Sequence, residues 1–412
     1  MRLIRHTAET CLQYYFLLMF ASAIVQIVTG KGYVESVFLP IVIYVTFLCQ
    51  KRRSGQFDFL VYSLLVWTVV TWTSNDYDKK SYLIFRSLMG QTAYVIAYFI
   101  GRNTFSRFHE YILEKAFWPL IICSVIGIIF YFWPPGWYLA YAVKNSGGAS
   151  KGELFLEYFR LRSVFNHTYY MAYFCALESI YLLYQILIKN SKLLRYKFAL
   201  PLLLVTSMLT IMRAPIACVI LSAVIFVVHR LLTGHSISAI LRISGLIIVF
   251  FIVASLFYGK LNRAQQRFIS KKIEMATKST EKYVKERTNS QITYALVGDG
   301  AGRHASYVGK NTKNKVVADC EYKKILTEYG YVGMIIIGLL LTVALIKCIY
   351  LFHSLVLETS IIVMLLICMI GADPLSTGNK HCLIFWMVIG YVSSYKSIVK
   401  NNQARCIEVL KL

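Results

Sequence analysis

Two carboxylates that could do acid–base chemistry, Asp319 and Glu321, lie in VADCEYKKILTEYGYVGM, residues 317–334. A carboxylate can act as a general base that takes the proton from a weak nucleophile such as a hydroxyl group. Asp319 also fits the N-cap position of a helix that begins beside it. The sequence leaves both interpretations of Asp319 open, the base and the helix cap.

Helical spacing separates the two acids. Glu321 falls on one face with Lys324 and Glu328, where the charges can pair with one another and meet water. Asp319 falls three residues before Tyr322, on the face that the pattern predicts to be packed. Asp319 is therefore the first candidate for a base, and Glu321 is predicted to be structural, with a base role only in reserve.

Four arginines could bind an anion, because a guanidinium group holds phosphate oxygens through paired hydrogen bonds. Arg213 stands in LTIMRAPIACVI, Arg287 in KERTNSQITYALVGDGAG, and Arg160 with Arg162 in FRLRSVFNHTYY. Each also has a structural interpretation. Arg213 can keep two apolar runs apart, Arg287 can be solvated surface, and Arg160 with Arg162 can anchor the chain at a membrane interface.

The elements that must position these side chains are predicted to be membrane helices. The chain has 412 residues, 57% of them hydrophobic, which is more apolar surface than a soluble domain of this size can hide. Apolar runs long enough to cross a bilayer recur along it. We predict an all-α, polytopic protein with a single membrane domain over residues 1–412 and about twelve spans. The predicted spans are 13–29, 34–50, 57–73, 82–101, 116–133, 168–188, 198–212, 214–229, 243–258, 331–350, 355–371 and 381–395.

The distribution of Lys and Arg among the short loops predicts that both termini lie in the cytoplasm. Two long outer segments follow from this topology, residues 134–167 and residues 259–330. The second is strongly basic and has the composition of amphipathic helices that lie along the membrane surface. It predicts either a solvated surface or a partner with negative charge.

Other kinds of site find little support in the sequence. The ten cysteines form no disulfide framework and no metal motif, so we expect neither a metal nor a cofactor, and no nucleic-acid partner. The GDGAG run, residues 298–302, lacks the strand and helix of a dinucleotide site and is predicted to make a tight turn. Glu178, within the sixth span, is either functional or neutralised inside the protein, for example by Arg86.

Four segments together resemble the superfamily of O-antigen polymerases (Wzy) and O-antigen ligases. They are RLRSVFNHTYYMAY, LLLVTSMLTIMRAP, ERTNSQITYALVGDGAGR and ADCEYKKILTEYGYVGM, and the late, large outer loop matches as well. The resemblance implies a GT-C-like membrane glycosyltransferase that works without a metal on undecaprenyl-diphosphate-linked glycans. It places the protein in a bacterial inner membrane, with residues 134–167 and 259–330 in the periplasm.

The resemblance also implies roles for particular residues. Ligases of this superfamily carry a histidine, then Asn, Ser or Gln, then nine residues and a GxxG motif. Counting back from Gly330 and Gly333 places that histidine at position 319, where this chain has Asp319 followed by Cys320. This departure favours a polymerase over a ligase.

By the same match, Arg213 and Arg287 fall where the family binds the diphosphate. Arg160 and Arg162 are weaker candidates for contact with the glycan or a phosphate, and His304 joins Glu321 as an alternative base. We therefore expect a polymerase of lipid-linked repeat units, with membrane lipids and a chain-length regulator as further partners. The alternatives are a ligase that transfers the glycan to lipid A–core and a flippase or other transporter of a lipid-linked glycan.

Overall fold

The computed structural model describes residues 2–29, 38–50, 53–73, 81–104, 107–138, 161–165, 168–210, 212–234, 296–298, 300, 320–371, 374–375 and 381–409. Within these ranges the chain forms twelve α-helices and no strand. The helices are α1 (Arg2–Gln13), α2 (Tyr15–Thr29), α3 (Leu39–Cys49), α4 (Asp58–Thr73), α5 (Ser81–Asn103), α6 (Phe108–Phe132), α7 (Thr168–Leu187), α8 (Leu194–Leu209), α9 (Arg213–Leu232), α10 (Glu321–Tyr350), α11 (Val356–Gly371) and α12 (Cys382–Val409).

The all-α prediction is confirmed for the described part of the chain. Each predicted span falls on one of these helices except 243–258, which lies outside the described residues. By length and apolar composition, four of the described helices can cross a membrane, or five if α1 and α2 together form one broken span. The protein therefore has the helices of a membrane protein. The count of about twelve crossings and the GT-C-like arrangement stay predictions.

The chain divides into two compact units. Unit 1 comprises Met1–Tyr15, Tyr33–Glu114 and Ile292–Leu412, and unit 2 comprises Phe16–Gly32 and Lys115–Gln291. Unit 1 thus contains α1, α3–α5, the first residues of α6 and α10–α12. Unit 2 contains most of α2 and α6 together with α7, α8 and α9.

Helices α5 and α12 make the most extensive contact in unit 1. Small residues four positions apart, Ala97 with Gly101 and Gly390 with Ser394, let the two backbones touch. A Cβ atom on Gly101 would lie 2.0 Å from the backbone oxygen of Met387. Close approach through such small-xxx-small pairs is a common way for membrane helices to pack, because lipid supplies no hydrophobic force between them.

One end of this helix pair carries a buried polar network. Arg102 donates to Asp58 across 2.6 Å, and the Tyr98 hydroxyl donates to the other oxygen of Asp58 across 2.9 Å. Lys347 donates to the backbone oxygen of Ser393 across 2.9 Å. A buried charge needs such partners because its own desolvation is costly. The network therefore joins α4, α5, α10 and α12 within unit 1.

A second buried cluster joins the first residues of α6 to α11. Glu358 is fully buried. Its Oε1 accepts from Arg107 Nε across 3.1 Å and lies 3.0 Å from His109 Nε2. The His109 ring also packs edge-on against Tyr391, with 5.2 Å between the ring centres. These contacts bring three helices of unit 1 together around one carboxylate.

Helix α7 forms the centre of unit 2, since all of its residues are buried except Tyr170 and Gln185. It packs against α8 and α9, and Arg230 of α9 donates to the backbone oxygens of Leu187, the last residue of α7, and of Ile188, which follows it. Glu178 is fully buried, and neither of its carboxylate oxygens has a hydrogen-bond partner among the described residues. The predicted pairing with Arg86 lies outside the described side chains.

Candidate functional site

The predicted GxxG motif forms a break in α10. Gly330 has φ 66° and ψ −168°, so its backbone leaves the helical conformation. This region of φ favours glycine, which has no Cβ atom to clash with the backbone. The break separates a first segment, Glu321–Tyr329, from a longer apolar segment, residues 331–350.

The hydrogen bond that a continuous helix would form across the break is exchanged for two bonds to residues 296–300. The amide of Val332 would donate to Glu328 O in a continuous helix. It donates instead to the backbone oxygen of Leu296 across 3.4 Å, and Glu328 O accepts from the amide of Gly300 across 3.0 Å. The backbone groups that the break exposes are therefore satisfied by the end of the large predicted outer loop.

Two glycines in the GDGAG run allow this contact. Gly298 has φ 70° and Gly300 has φ 104°, so both use left-handed backbone. A Cβ atom on Gly298 would lie 2.3 Å from the amide nitrogen of Gly330. These two glycines let the chain approach the break in α10 closely. The tight turn predicted for the GDGAG run includes residues outside the described ones and stays a prediction.

Trp67 of α4 closes the other side of the break. Its indole nitrogen donates to the backbone oxygen of Tyr329 across 2.7 Å, replacing the partner that this oxygen would have in a continuous helix. A Cβ atom on Gly333 would lie 3.3 Å from the Trp67 ring and 2.2 Å from Tyr329 Cβ. Gly333 therefore leaves the space that these two aromatic side chains occupy.

Helix α10 begins at Glu321, two residues after Asp319. Cys320 occupies the N-cap position, with φ −147° and ψ 119°, and its backbone oxygen accepts from the amide of Lys324 across 3.0 Å. Asp319 precedes the N-cap and lies outside the described residues. Both interpretations of Asp319, the base and the helix cap, therefore stay predictions.

The first turn of α10 is fastened to α11 and to the connection that follows it. Three consecutive side chains make these hydrogen bonds. Their partners are Met369 O for Cys320 Sγ (3.5 Å), Leu375 N for Glu321 Oε2 (3.0 Å) and Leu366 O for the Tyr322 hydroxyl (3.2 Å). This turn, which directly follows Asp319, is thus held by its neighbours in unit 1.

The prediction that Glu321, Lys324 and Glu328 form a solvated face is wrong. Glu321, Lys324 and Glu328 are 4%, 5% and 1% exposed, whereas Tyr322 on the predicted packed face is only half-buried. In a membrane protein the outward face of a helix meets lipid, where charges are costly, so charged side chains turn toward the protein. The rule that a charged face is a wet face holds for soluble helices and fails here.

In unit 2 the segment 161–165 contacts the end of α8. The amide of Leu161 donates to the backbone oxygen of Leu209 across 3.0 Å, and the Ser163 hydroxyl donates to Cys123 O across 2.6 Å. Arg162 is 5% exposed, which contradicts its interpretation as an interfacial anchor. Helix α9 begins at Arg213, four residues after Leu209. The segment that contains Arg162 therefore contacts the chain just before α9 begins.

Several predicted site residues cannot be placed. Asp319, Arg287, Arg160 and His304 lie outside the described residues, and of Arg213 the backbone alone is described. The sequence analysis missed the part played by Trp67. A tryptophan near the end of an apolar run reads as an interfacial anchor, and nothing in the sequence signals that its N–H meets a backbone oxygen far along the chain.

Among the described residues no group of three or more His, Cys, Asp or Glu side chains could hold a metal ion. Comparison with protein-family models, curated proteins and solved structures finds no match to this chain.

Proposed function

We propose that this protein is a Wzy-type polymerase in a bacterial inner membrane, a glycosyltransferase with about twelve spans and a GT-C-like arrangement. It joins undecaprenyl-diphosphate-linked repeat units of an O-antigen or a capsule-like polysaccharide on the periplasmic face. Both termini then lie in the cytoplasm, and residues 134–167 and 259–330 lie in the periplasm. Membrane lipids and a chain-length regulator are its further partners.

The observation that carries the proposal is the pairing of the four segments on which the resemblance rests. In unit 1, residues 296–300 bind the break in α10 through Gly300 N and Leu296 O. In unit 2, the segment 161–165 binds the end of α8, four residues before Arg213, through Leu161 N. Segments far apart in sequence thus meet in pairs within each unit, and these contacts support the proposal.

The residue types suit the proposed reaction. A hydroxyl group of one glycan attacks the anomeric carbon of a second glycan, the bond to the lipid diphosphate breaks, and the hydroxyl proton passes to a base. In this proposal Asp319 takes the proton. Arg213 and Arg287 stabilise the negative charge that develops on the leaving diphosphate, with Arg160 and Arg162 in supporting contacts to phosphate or glycan.

The start of α9 supports a phosphate site at Arg213. The first amide groups of an α-helix have no partner within the helix, and its dipole favours an anion at that end. Arg213 is the first residue of the 20-residue helix α9. A guanidinium group at this position adds a full positive charge to the partial charge of the helix end.

The ligase alternative uses the same donor but a different acceptor, lipid A–core. Asp319 in place of the ligase histidine favours the polymerase. The transport alternative needs charges that line a path through the membrane. The described ion pairs Arg102–Asp58 and Arg107–Glu358 are instead closed between neighbouring helices of unit 1.

The test begins with a glycan ladder gel of a strain from which the gene is deleted. A polymerase deletion leaves single repeat units on the core, whereas a ligase deletion leaves none. Purified protein is then mixed with lipid-linked repeat units, and chain growth is measured. Long chains that persist in the deletion strain would exclude both the polymerase and the ligase.

A further inference from the structure

We propose that Glu321 is a positioning residue: its bond to the Leu375 amide fixes the α11–α12 connection against the first turn of α10 and thereby holds the chain at Asp319 for glycosyl transfer. This inference rests on the proposed function, in which Asp319 is the base. It assigns to Glu321 a role different from the reserve base that the sequence suggests.

The proposal starts from the hydrogen bond between Glu321 and the amide of Leu375. Glu321 is 4% exposed, and its Oε2 accepts from the amide of Leu375 across 3.0 Å. The Leu375 peptide is held on its other side as well, because Cys382 Sγ lies 3.1 Å from the backbone oxygen of Leu375. One residue of the connection is thus fixed by α10 through its N–H and by α12 through its C=O.

The second step is that Glu321 acts with its two neighbours. Cys320 Sγ donates to Met369 O, and the Tyr322 hydroxyl donates to Leu366 O, so that both neighbours of Glu321 are bonded to the backbone of α11. We name Cys320, Glu321 and Tyr322 the α10 clamp. Of the three, Glu321 alone offers a carboxylate, and a bond from an N–H to a charged acceptor is stronger than one between neutral groups.

The third step separates positioning from catalysis. A catalytic base must reach the hydroxyl proton that it removes. Glu321 is buried, and one of its oxygens is held by a backbone amide, whereas Asp319 lies just before the clamp. Fixing Cys320 and Glu321 restricts the residue that precedes them. A displacement of about 1 Å at a reacting group can lower the rate on the order of 100-fold.

The kinetic test compares Glu321→Gln with Glu321→Ala in full-length protein with lipid-linked repeat units. Gln keeps a side-chain oxygen that can accept from Leu375 N, but it cannot act as a base. We expect Gln to retain activity and the wild-type pH profile, and Ala to lower kcat by roughly 10- to 100-fold with little change in KM. A Gln variant with a strongly lowered kcat and without the acidic limb of the pH profile would overturn the proposal and make Glu321 the base.

The structural test does not depend on activity. Hydrogen exchange is measured by mass spectrometry on peptides that contain Leu375. Glu321→Ala should speed exchange there and Glu321→Gln should not, while peptides from α7 stay unchanged in both variants. If the wild-type protein fails to polymerise, the proposed function fails, and this measurement still decides whether the clamp holds the connection. Exchange that is unaltered in the Ala variant would refute the clamp.

Glu114 offers the matched control, because it is an exposed glutamate on α6. Glu114→Ala and Glu114→Gln change charge and size in the same way without touching the clamp. Both should leave kcat and the exchange at Leu375 at wild-type values. An Ala effect of equal size at Glu114 would show that the loss at Glu321 is a general effect of charge, and would contradict the proposal.

Discussion

The indole nitrogen of Trp67 lies 2.7 Å from the backbone oxygen of Tyr329, immediately before the break in α10. This oxygen would accept from the amide of Gly333 in a continuous helix. Irregular backbone at membrane depth survives only where other groups satisfy it. Trp67 therefore supplies from α4 a hydrogen bond that α10 cannot supply to itself.

Trp67→Phe tests this relationship, because Phe keeps an aromatic ring and removes the N–H donor. We expect the free energy of unfolding to fall by about 1 kcal/mol, because this part-buried oxygen loses its hydrogen bond to the indole N–H. Thermal unfolding in detergent measures the change. Trp118→Phe is the control, since Trp118 is 59% exposed and should change little. An equal change in the free energy of unfolding of the two variants would contradict the role of the hydrogen bond.

Gly298→Ala should separate residues 296–300 from α10. The new Cβ atom would meet backbone atoms of residues 328–330, and the positive φ of Gly298 adds strain of roughly 1–2 kcal/mol. We expect faster hydrogen exchange at Val332 and a loss of chain extension. Gly338→Ala is the control, because no atom lies within 4 Å of the corresponding Cβ position. Normal chain extension in the Gly298 variant would show that the contact does not matter for function.

Asp319→Asn and Asp319→Ala address the proposed base. Asn keeps the geometry of a capping side chain but cannot act as a base, so the comparison of Asn with Ala separates the two interpretations. We expect both to lower the polymerisation rate by roughly 100- to 10,000-fold, the usual contribution of a general base. The rate is measured with purified protein, and protein level and thermal unfolding are checked beside it. An active Asn variant would exclude Asp319 as the base.

Arg213→Ala should abolish chain extension while the amount of protein stays the same. Removing one group that stabilises transition-state charge typically lowers the rate about 100- to 1,000-fold. The readout is the glycan ladder, which should collapse to single repeat units. Arg195→Ala is the matched control: this exposed arginine at the start of α8 packs on Phe117 and Tyr196. A normal ladder from the Arg213 variant would remove the diphosphate assignment.

Hydropathy predicted the helices well, since burial in lipid and burial in protein both demand long apolar runs. The same pattern could not tell which side of a helix faces lipid. Glu321, Lys324 and Glu328 were predicted to share a face, and they do share burial, but the prediction assigned that face to water. Periodicity gives the grouping of residues on a helix, whereas the solvent decides which group turns inward.

Pairings across the chain had no local signal. Glu358 and His109 are far apart in sequence and meet only because α6 and α11 pack together. Trp67 and Tyr329 are separated in the same way. The glycines were more informative. Gly298, Gly300 and Gly330 adopt positive φ, which glycine reaches more easily than other residues, so the residue type itself indicates these positions.

The break at Gly330 also sets a depth. The apolar segment that follows it, residues 331–350, contains about 20 residues and is about 30 Å long, the thickness of the hydrocarbon layer of a bilayer. If this segment spans the hydrocarbon layer, the break falls at the boundary between acyl chains and headgroups, with the α10 clamp on the headgroup side. Under the proposed function, this is the level at which the lipid-linked substrate bears its diphosphate, and the position of Gly330 sets the distance between that level and the far side of the membrane.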